Sequence, residues 1–214
     1  MGLVAEALSK SYGATRALRG ASLRVAAGRV ACLIGHNGAG KSTLIRILAT
    51  LMRPDAGKAS LGEVDLLGDA RRARLLVGYL GHESMLDGAL TVRENLRLFA
   101  SLYGVKEAQA RVETLIERFG AARFADSPVN DLSRGQEQAA GLCRALLHDP
   151  RLLLLDEPAT GLDTAARERL WQVARESAAG GAVVVFSTHD VEGASRIADS
   201  VIELMGGEIV NSAR

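Results

Sequence analysis

Residues Gly35-His36-Asn37-Gly38-Ala39-Gly40-Lys41-Ser42-Thr43 space glycines, a lysine and a hydroxyl as a phosphate-binding loop does. Glycines let successive backbone N–H groups converge on phosphate oxygens, and a helix opening behind them adds partial positive charge. In that setting Lys41 reaches the β- and γ-phosphates and Ser42 ligates Mg2+. Lys41 is one of four lysines beside 22 arginines, so a lysine at this position stands out from the composition. His36 is read as a variable loop position rather than a catalytic group.

A second cluster lies far along the chain. Leu152 to Leu155 runs straight into Asp156-Glu157-Pro158. A carboxylate at the end of a buried strand beside the phosphate loop holds Mg2+ through water, which assigns Asp156 to the metal. Glu157 then sits next to the γ-phosphate as general base or water orienter. The alternative is a plain strand stop. His189 follows the next apolar strand through Ser187-Thr188. Parallel neighbours deliver it to the same carboxyl edge, where it can hydrogen-bond a γ-phosphate oxygen and the attacking water; the competing reading is a structural histidine.

These groups need a scaffold. Val30 to Ile34 reads as a core strand, followed by a helix from Ser42 to Leu51 with apolar residues at Leu44, Ile47, Leu48 and Leu51, ended by Pro54. Leu3 to Ile34 is punctuated by Gly13, Gly20 and Gly28 and reads as a small antiparallel sheet leading into that strand. Lys58 to Leu67 reads as a hairpin and Leu75 to Leu80 as a strand. Thr91 to Tyr103 and Val105 to Phe119 have helical spacing, with Thr91 and Glu94 as a capping box. Leu152 to Leu155 and Ala182 to Phe186 lack alternation, as strands buried on both faces of a parallel sheet do. A helix from Thr164 to Ala179 separates them. Ser200 to Ser212 reads as a hairpin turning at Gly206-Gly207. The expected organisation is one domain over 1–214 with a helical insertion at 85–145.

Length and composition bound the rest. A chain of 214 residues that is 48% apolar and 24% charged holds one sizeable core. A net charge of +1 does not favour a nucleic-acid partner, and Arg71-Arg72-Ala73-Arg74 reads as a solvated helix face. Cys32 and Cys143 read as reduced core residues. No apolar stretch is long enough to span a membrane, so the chain itself is expected on the cytoplasmic side.

Leu132-Ser133-Arg134-Gly135-Gln136, taken with the phosphate loop and Asp156-Glu157, resembles the signature of the ATP-binding cassette ATPases, and the resemblance covers essentially the whole chain. It implies an α/β fold: a P-loop NTPase with a RecA-like parallel core, an N-terminal antiparallel β subdomain and a helical signature subdomain. It also implies ATP and Mg2+. Ser133, Gly135 and Gln136 are expected to act on ATP held by the opposite copy of a dimer. Tyr12 resembles the aromatic residue that stacks on adenine, and Gly161-Leu162-Asp163 resembles the loop linking the two sites. Two departures stand out. Arg134 replaces a common glycine, and His82-Glu83 follows Tyr79-Leu80-Gly81 where the family usually has glutamine; either His82 or Glu83 is expected to contact Mg2+ or water.

One cassette with a short insertion points to a transporter subunit at the cytoplasmic face of the inner membrane, bound to integral membrane permease subunits. Met85, Leu86, Phe99, Leu102 and Tyr103 are candidates for the groove that receives the permease, with core packing as the alternative for Phe99 and Leu102. Compact length and the Gly81-His82 pair look most like the heme-exporter subunit of cytochrome c biogenesis. The rivals are a drug or lipid exporter, a soluble switch acting on nucleic acid or ribosome, and a degenerate cassette that binds without hydrolysing.

Overall fold

Four consecutive leucines, Leu152 to Leu155, are each fully buried, because the sheet they join is covered on both faces. The structure, a computed structural model, describes residues 2–189, 193 and 196–213. Its first strands are β1 (Leu3–Tyr12), β2 (Thr15–Val25) and β3 (Val30–Ile34), followed by α1 (Lys41–Leu48), β4 (Ala56–Leu61) and β5 (Val64–Asp65). Next come α2 (Ala70–Arg74), β6 (Val77–Leu80), α3 (Val92–Leu102), α4 (Ala108–Arg118) and α5 (Arg134–Leu146). The chain then forms β7 (Leu152–Leu155), α6 (Thr164–Ala179), β8 (Val183–Ser187), β9 (Ser200–Met205) and β10 (Glu208–Ala213).

The strands form two sheets. One has the order β2-β1-β4-β5 and is antiparallel; the other has the order β10-β9-β3-β8-β7-β6. Within the second sheet β9, β3, β8, β7 and β6 are parallel, and β10 closes the edge antiparallel to β9. The α/β class with a parallel core and an N-terminal antiparallel sheet therefore stands as expected.

Successive side chains of a strand point to opposite faces, so the central strands divide the interior into two cores. Val30, Cys32, Leu153, Leu155, Val184 and Phe186 pack with α3, α4, α5 and α6. Ala31, Leu33, Leu152, Leu154, Val183 and Val185 pack with α1 and the antiparallel sheet. The helices between β6 and β7 thus share an apolar core with one face of the parallel sheet.

Local chemistry explains the element ends. Thr91 caps α3, with Glu94 returning the bond to Thr91 N–H. α4 begins at Ala108 rather than Val105, because Glu107 adopts a left-handed φ of 52°. α1 stops at Leu48 rather than Leu51; Thr50 has φ 59° and Leu51 is exposed. The strand expected from Leu75 starts at Val77, since Leu75 caps α2. Arg71, Arg72 and Arg74 are exposed on α2 while Ala73 is buried, and Cys32 and Cys143 are buried thiols that form no disulfide. Burial pushes the Cys143 thiol up to about 12, which leaves it protonated and inert.

Candidate active site

The register of the parallel sheet aligns four strand ends. Leu80 lies opposite Leu155, Leu155 opposite Phe186, and Ser187 opposite Leu33. The loops that follow β3, β6, β7 and β8 therefore leave from one edge, the place where open α/β sheets bind ligands.

After β3 the chain makes the turn from Gly35 to Gly40. A Cβ on Gly35 would lie 2.3 Å from Leu204 O, and one on Gly40 would lie 2.4 Å from Ala17 O. Gly40 also has φ 108° and caps α1 without a side chain, leaving the first amides of that helix uncapped. Lys41, almost wholly buried, folds its ammonium back to donate to Gly35 O at 2.7 Å and His36 O at 3.3 Å. His36 is turned to the carbonyl of Asn37.

Asp156 is buried, and its Oδ1 accepts from Ser42 Oγ at 3.0 Å and from Ser187 Oγ at 2.7 Å. Glu157 Oε1 lies 2.9 Å from His189 Nε2 and 3.8 Å from Lys41 Nζ. The structure thus brings Lys41, Ser42, Asp156, Glu157 and His189, separated by up to 148 positions, into one constellation. Tyr12 is half-exposed at the end of β1, on the hairpin whose second strand abuts Gly40, and its hydroxyl donates to Met52 Sδ.

Ser133 caps α5 in a capping box: it accepts from Gln136 N–H, and Gln136 Oε1 accepts from Ser133 N–H at 2.8 Å. Asp163 caps α6 by accepting from Ala166 N–H at 2.8 Å. Ser133, Gly135, Gln136, Leu162 and Asp163 line a cleft of about 540 Å³, whereas Glu157, Thr188, His189 and Trp171 line a different one of about 210 Å³. Gly161 borders both. Within one chain the signature residues stand apart from the Glu157 constellation.

His82 and Glu83 are exposed. His82 Nδ1 is 3.0 Å from Arg134 Nη2, so this ring pairs with the signature helix rather than with Ser42 or Asp156. A guanidinium only donates, which makes Nδ1 the acceptor. The two departures from the family pattern thus touch each other. Ser84 Oγ donates to Glu137 in the same seam. Buried Arg144 donates to Ser84 O at 3.0 Å and Tyr79 O at 2.7 Å, and lies over the ring of Phe99. Phe99 is packed on the core, while Met85 and Leu102 are exposed.

Several contributors escaped the sequence reading. Ser187 holds Asp156, Gln138 donates from α5 to Pro158 O, and buried Asn95 fixes the loop after β6 through Asp87, Leu90 and Thr91. Tyr79 is hydrogen-bonded to Arg46 of α1, which raises the Arg46 guanidinium above its ordinary value, and burial raises the Tyr79 phenol. The one sequence signal for this group was Ser187, a hydroxyl ending an apolar strand.

A glycine loop between a central parallel strand and a helix, an acidic pair after β7 and a histidine after β8 define a phosphate-loop nucleotide-binding protein of α/β class. Residues 18–160 match the ABC transporter family, and the chain belongs to that family. It is 39% identical over 210 residues to daunorubicin resistance ATP-binding protein DrrA3 of Streptomyces coeruleorubidus, covering 97% of this chain and 66% of that protein. It is 38% identical over 209 residues to Nod factor export ATP-binding protein I of Rhizobium meliloti (strain 1021), covering 97% of this chain and 62% of that protein. The chain therefore spans a little under two thirds of the length of these relatives. A solved ATP-binding subunit of an ABC transporter superposes with a TM-score of 0.92 at 33% identity, covering 100% of this chain and 90% of that one. A dimeric ATP-binding cassette in a post-hydrolysis state bound to ADP and Pi superposes with a TM-score of 0.92 at 25% identity, covering 99% and 98%. Among the described residues no helix is long and apolar enough to cross a membrane.

Proposed function

We propose that this chain hydrolyses ATP as the motor subunit of a membrane exporter. The observation that carries the reading is the convergence of Lys41, Glu157 and His189 beside the Ser42–Asp156 pair. Lys41 supplies positive charge for the phosphates, Glu157 orients and deprotonates the attacking water, and His189 Nε2 is the donor that holds the carboxylate here and would turn to the γ-phosphate when ATP binds.

The Ser42 and Asp156 oxygens fit Mg2+. They are hard donors 3.0 Å apart, and among the described residues no group of three His, Cys, Asp or Glu forms an all-protein cage. Mg2+ characteristically takes one or two protein oxygens and completes its shell with phosphate and water. When bound it neutralises charge on the β- and γ-phosphates. The His82–Arg134 contact favours Ser42 and Asp156 over His82 as the protein ligands.

Two copies are inferred to close head to tail around two ATP molecules, with Ser133, Gly135 and Gln136 of each completing the site of the other. The separation of the signature cleft from the Glu157 cleft supports this, as does the likeness to a dimeric cassette. Closure would move permease subunits seated near exposed Met85 and Leu102 at the cytoplasmic face of the membrane.

For cargo, relatives named for daunorubicin resistance and Nod factor export support a drug or lipid exporter. They lend no support to the heme-exporter resemblance, whose short-length argument counts for nothing beside relatives this chain only partly spans. Glu157→Gln tests the chemistry: ATP binding is retained while hydrolysis falls by about 10²-fold or more. Wild-type turnover in that variant removes Glu157 from its role.

A further inference from the structure

Glu157 has φ 52°, a left-handed conformation uncommon for a residue carrying a Cβ. Such a backbone persists only where its surroundings over-determine it. Ser187 is fully buried at the end of β8 and makes two hydrogen bonds of opposite sense. Its Oγ accepts from Glu157 N–H at 2.9 Å and donates to Asp156 Oδ1 at 2.7 Å. A serine hydroxyl has a single proton, so this assignment uses its only donor and leaves an oxygen lone pair for the amide. The far side of the same turn is held by Gln138, whose side-chain amide donates to Pro158 O from within the helix that Ser133 caps.

We infer that Ser187 is a positioning residue for ATP hydrolysis, acting through Glu157 and Asp156 together; this rests on the ATPase reading above. One hydroxyl sets the backbone from which the Glu157 carboxylate reaches Lys41 and His189, and it orients the Asp156 carboxylate that faces Ser42. Ser42 belongs to the phosphate loop and is the partner a bound nucleotide and metal would recruit. Ser187 has no such competing duty. Alanine here leaves a part-buried amide without its acceptor and gives the left-handed turn freedom to relax, whereas threonine keeps the hydroxyl. Because ATP is gripped by the phosphate loop, loss of the Ser187 hydroxyl affects the chemical step and not nucleotide capture.

The test compares wild type, Ser187→Ala, Ser187→Thr and Glu157→Gln in steady-state ATP hydrolysis, equilibrium ATP binding and amide hydrogen exchange across residues 155–160. Ser187→Ala should lower kcat by about tenfold to a hundredfold, keep KM and ATP affinity within about twofold, and speed exchange at the Glu157 amide. Ser187→Thr should recover most of the lost kcat. A wild-type kcat in Ser187→Ala, or a parallel loss of kcat and ATP affinity, overturns the assignment. If wild type hydrolyses no ATP above background, the ATPase reading itself fails, and exchange decides alone. Faster exchange in Ser187→Ala then sustains the grip on the turn, and unchanged exchange overturns it.

Discussion

His189 Nε2 lies 2.9 Å from Glu157 Oε1, joining the loop after β8 to the loop after β7 across one strand spacing. The carboxylate is thereby aimed by a neighbour that carries a proton donor of its own. Removing that neighbour should leave Glu157 in place chemically but badly oriented. On the proposed ATPase reading, His189→Ala is expected to lower kcat by about 10²-fold with ATP affinity little changed, because Lys41 and the phosphate-loop amides would still hold the nucleotide. Steady-state kinetics with a parallel binding titration checks this; equal losses in both would mean that His189 serves binding alone.

The glycines of the phosphate loop are not equivalent. A Cβ at Gly40 meets Ala17 O at 2.4 Å with φ 108°, whereas one at Gly38 meets nothing within 4 Å at φ 81°. Gly38→Ala carries backbone strain only, about 1 kcal/mol. Gly40→Ala adds a clash with the main chain of β2 and should cost several kcal/mol, lowering Tm by about 2–4 °C for each. Thermal unfolding of the two variants should separate them, and equal Tm values would contradict the packing described.

His148 gives the fold an acid-sensitive element away from the site. Its ring stacks on Tyr103 at 4.0 Å and donates from Nε2 to Val77 O, while Nδ1 is buried without a partner. Burial pulls its pKa down to about 4. The unfolded chain takes up this proton near about 6.5, so between those values the unfolded state binds more protons. The contribution is complete above about 6.5 and is lost as pH falls toward 4, amounting to roughly 3 kcal/mol. Urea midpoints measured across that interval should fall with pH in the wild type and less steeply in His148→Phe.

Arg144 fastens β6 and the loop after it to α5 through two carbonyls, Tyr79 O and Ser84 O. Arg144→Met strands both acceptors in the interior and should destabilise the protein by about 2–5 kcal/mol. Arg144→Lys should not restore stability, since an ammonium cannot reproduce the fork that spans them. Chemical denaturation of both variants is the measurement, and a fully stable lysine variant would argue that charge alone suffices.

Features written in contiguous residues were legible. The phosphate loop, the Asp156-Glu157 pair, the capping box at Thr91 and the doubly buried strands all rest on local spacing, and each lies where its pattern placed it. Element ends were less legible where a single backbone angle intervened, as at Glu107 and Thr50. Composition and periodicity carry no trace of a left-handed φ on glutamate or threonine.

The residues of the chain alone determined the family, the order of strands and helices, and the groups equipped to handle phosphate, because motif spacing and hydrophobic period are properties of neighbouring residues. Only the tertiary structure decided that Ser42 and Ser187 share one oxygen of Asp156, that His82 turns to Arg134, and that the signature residues line a cleft apart from Glu157. Those relationships join positions 31 to 114 residues apart in the hydrogen-bonded cases of Ser187, His82 and Ser42. They depend on the sheet register that aligns the ends of β3, β6, β7 and β8, and a shift of one residue in β8 would send Ser187 to the opposite face.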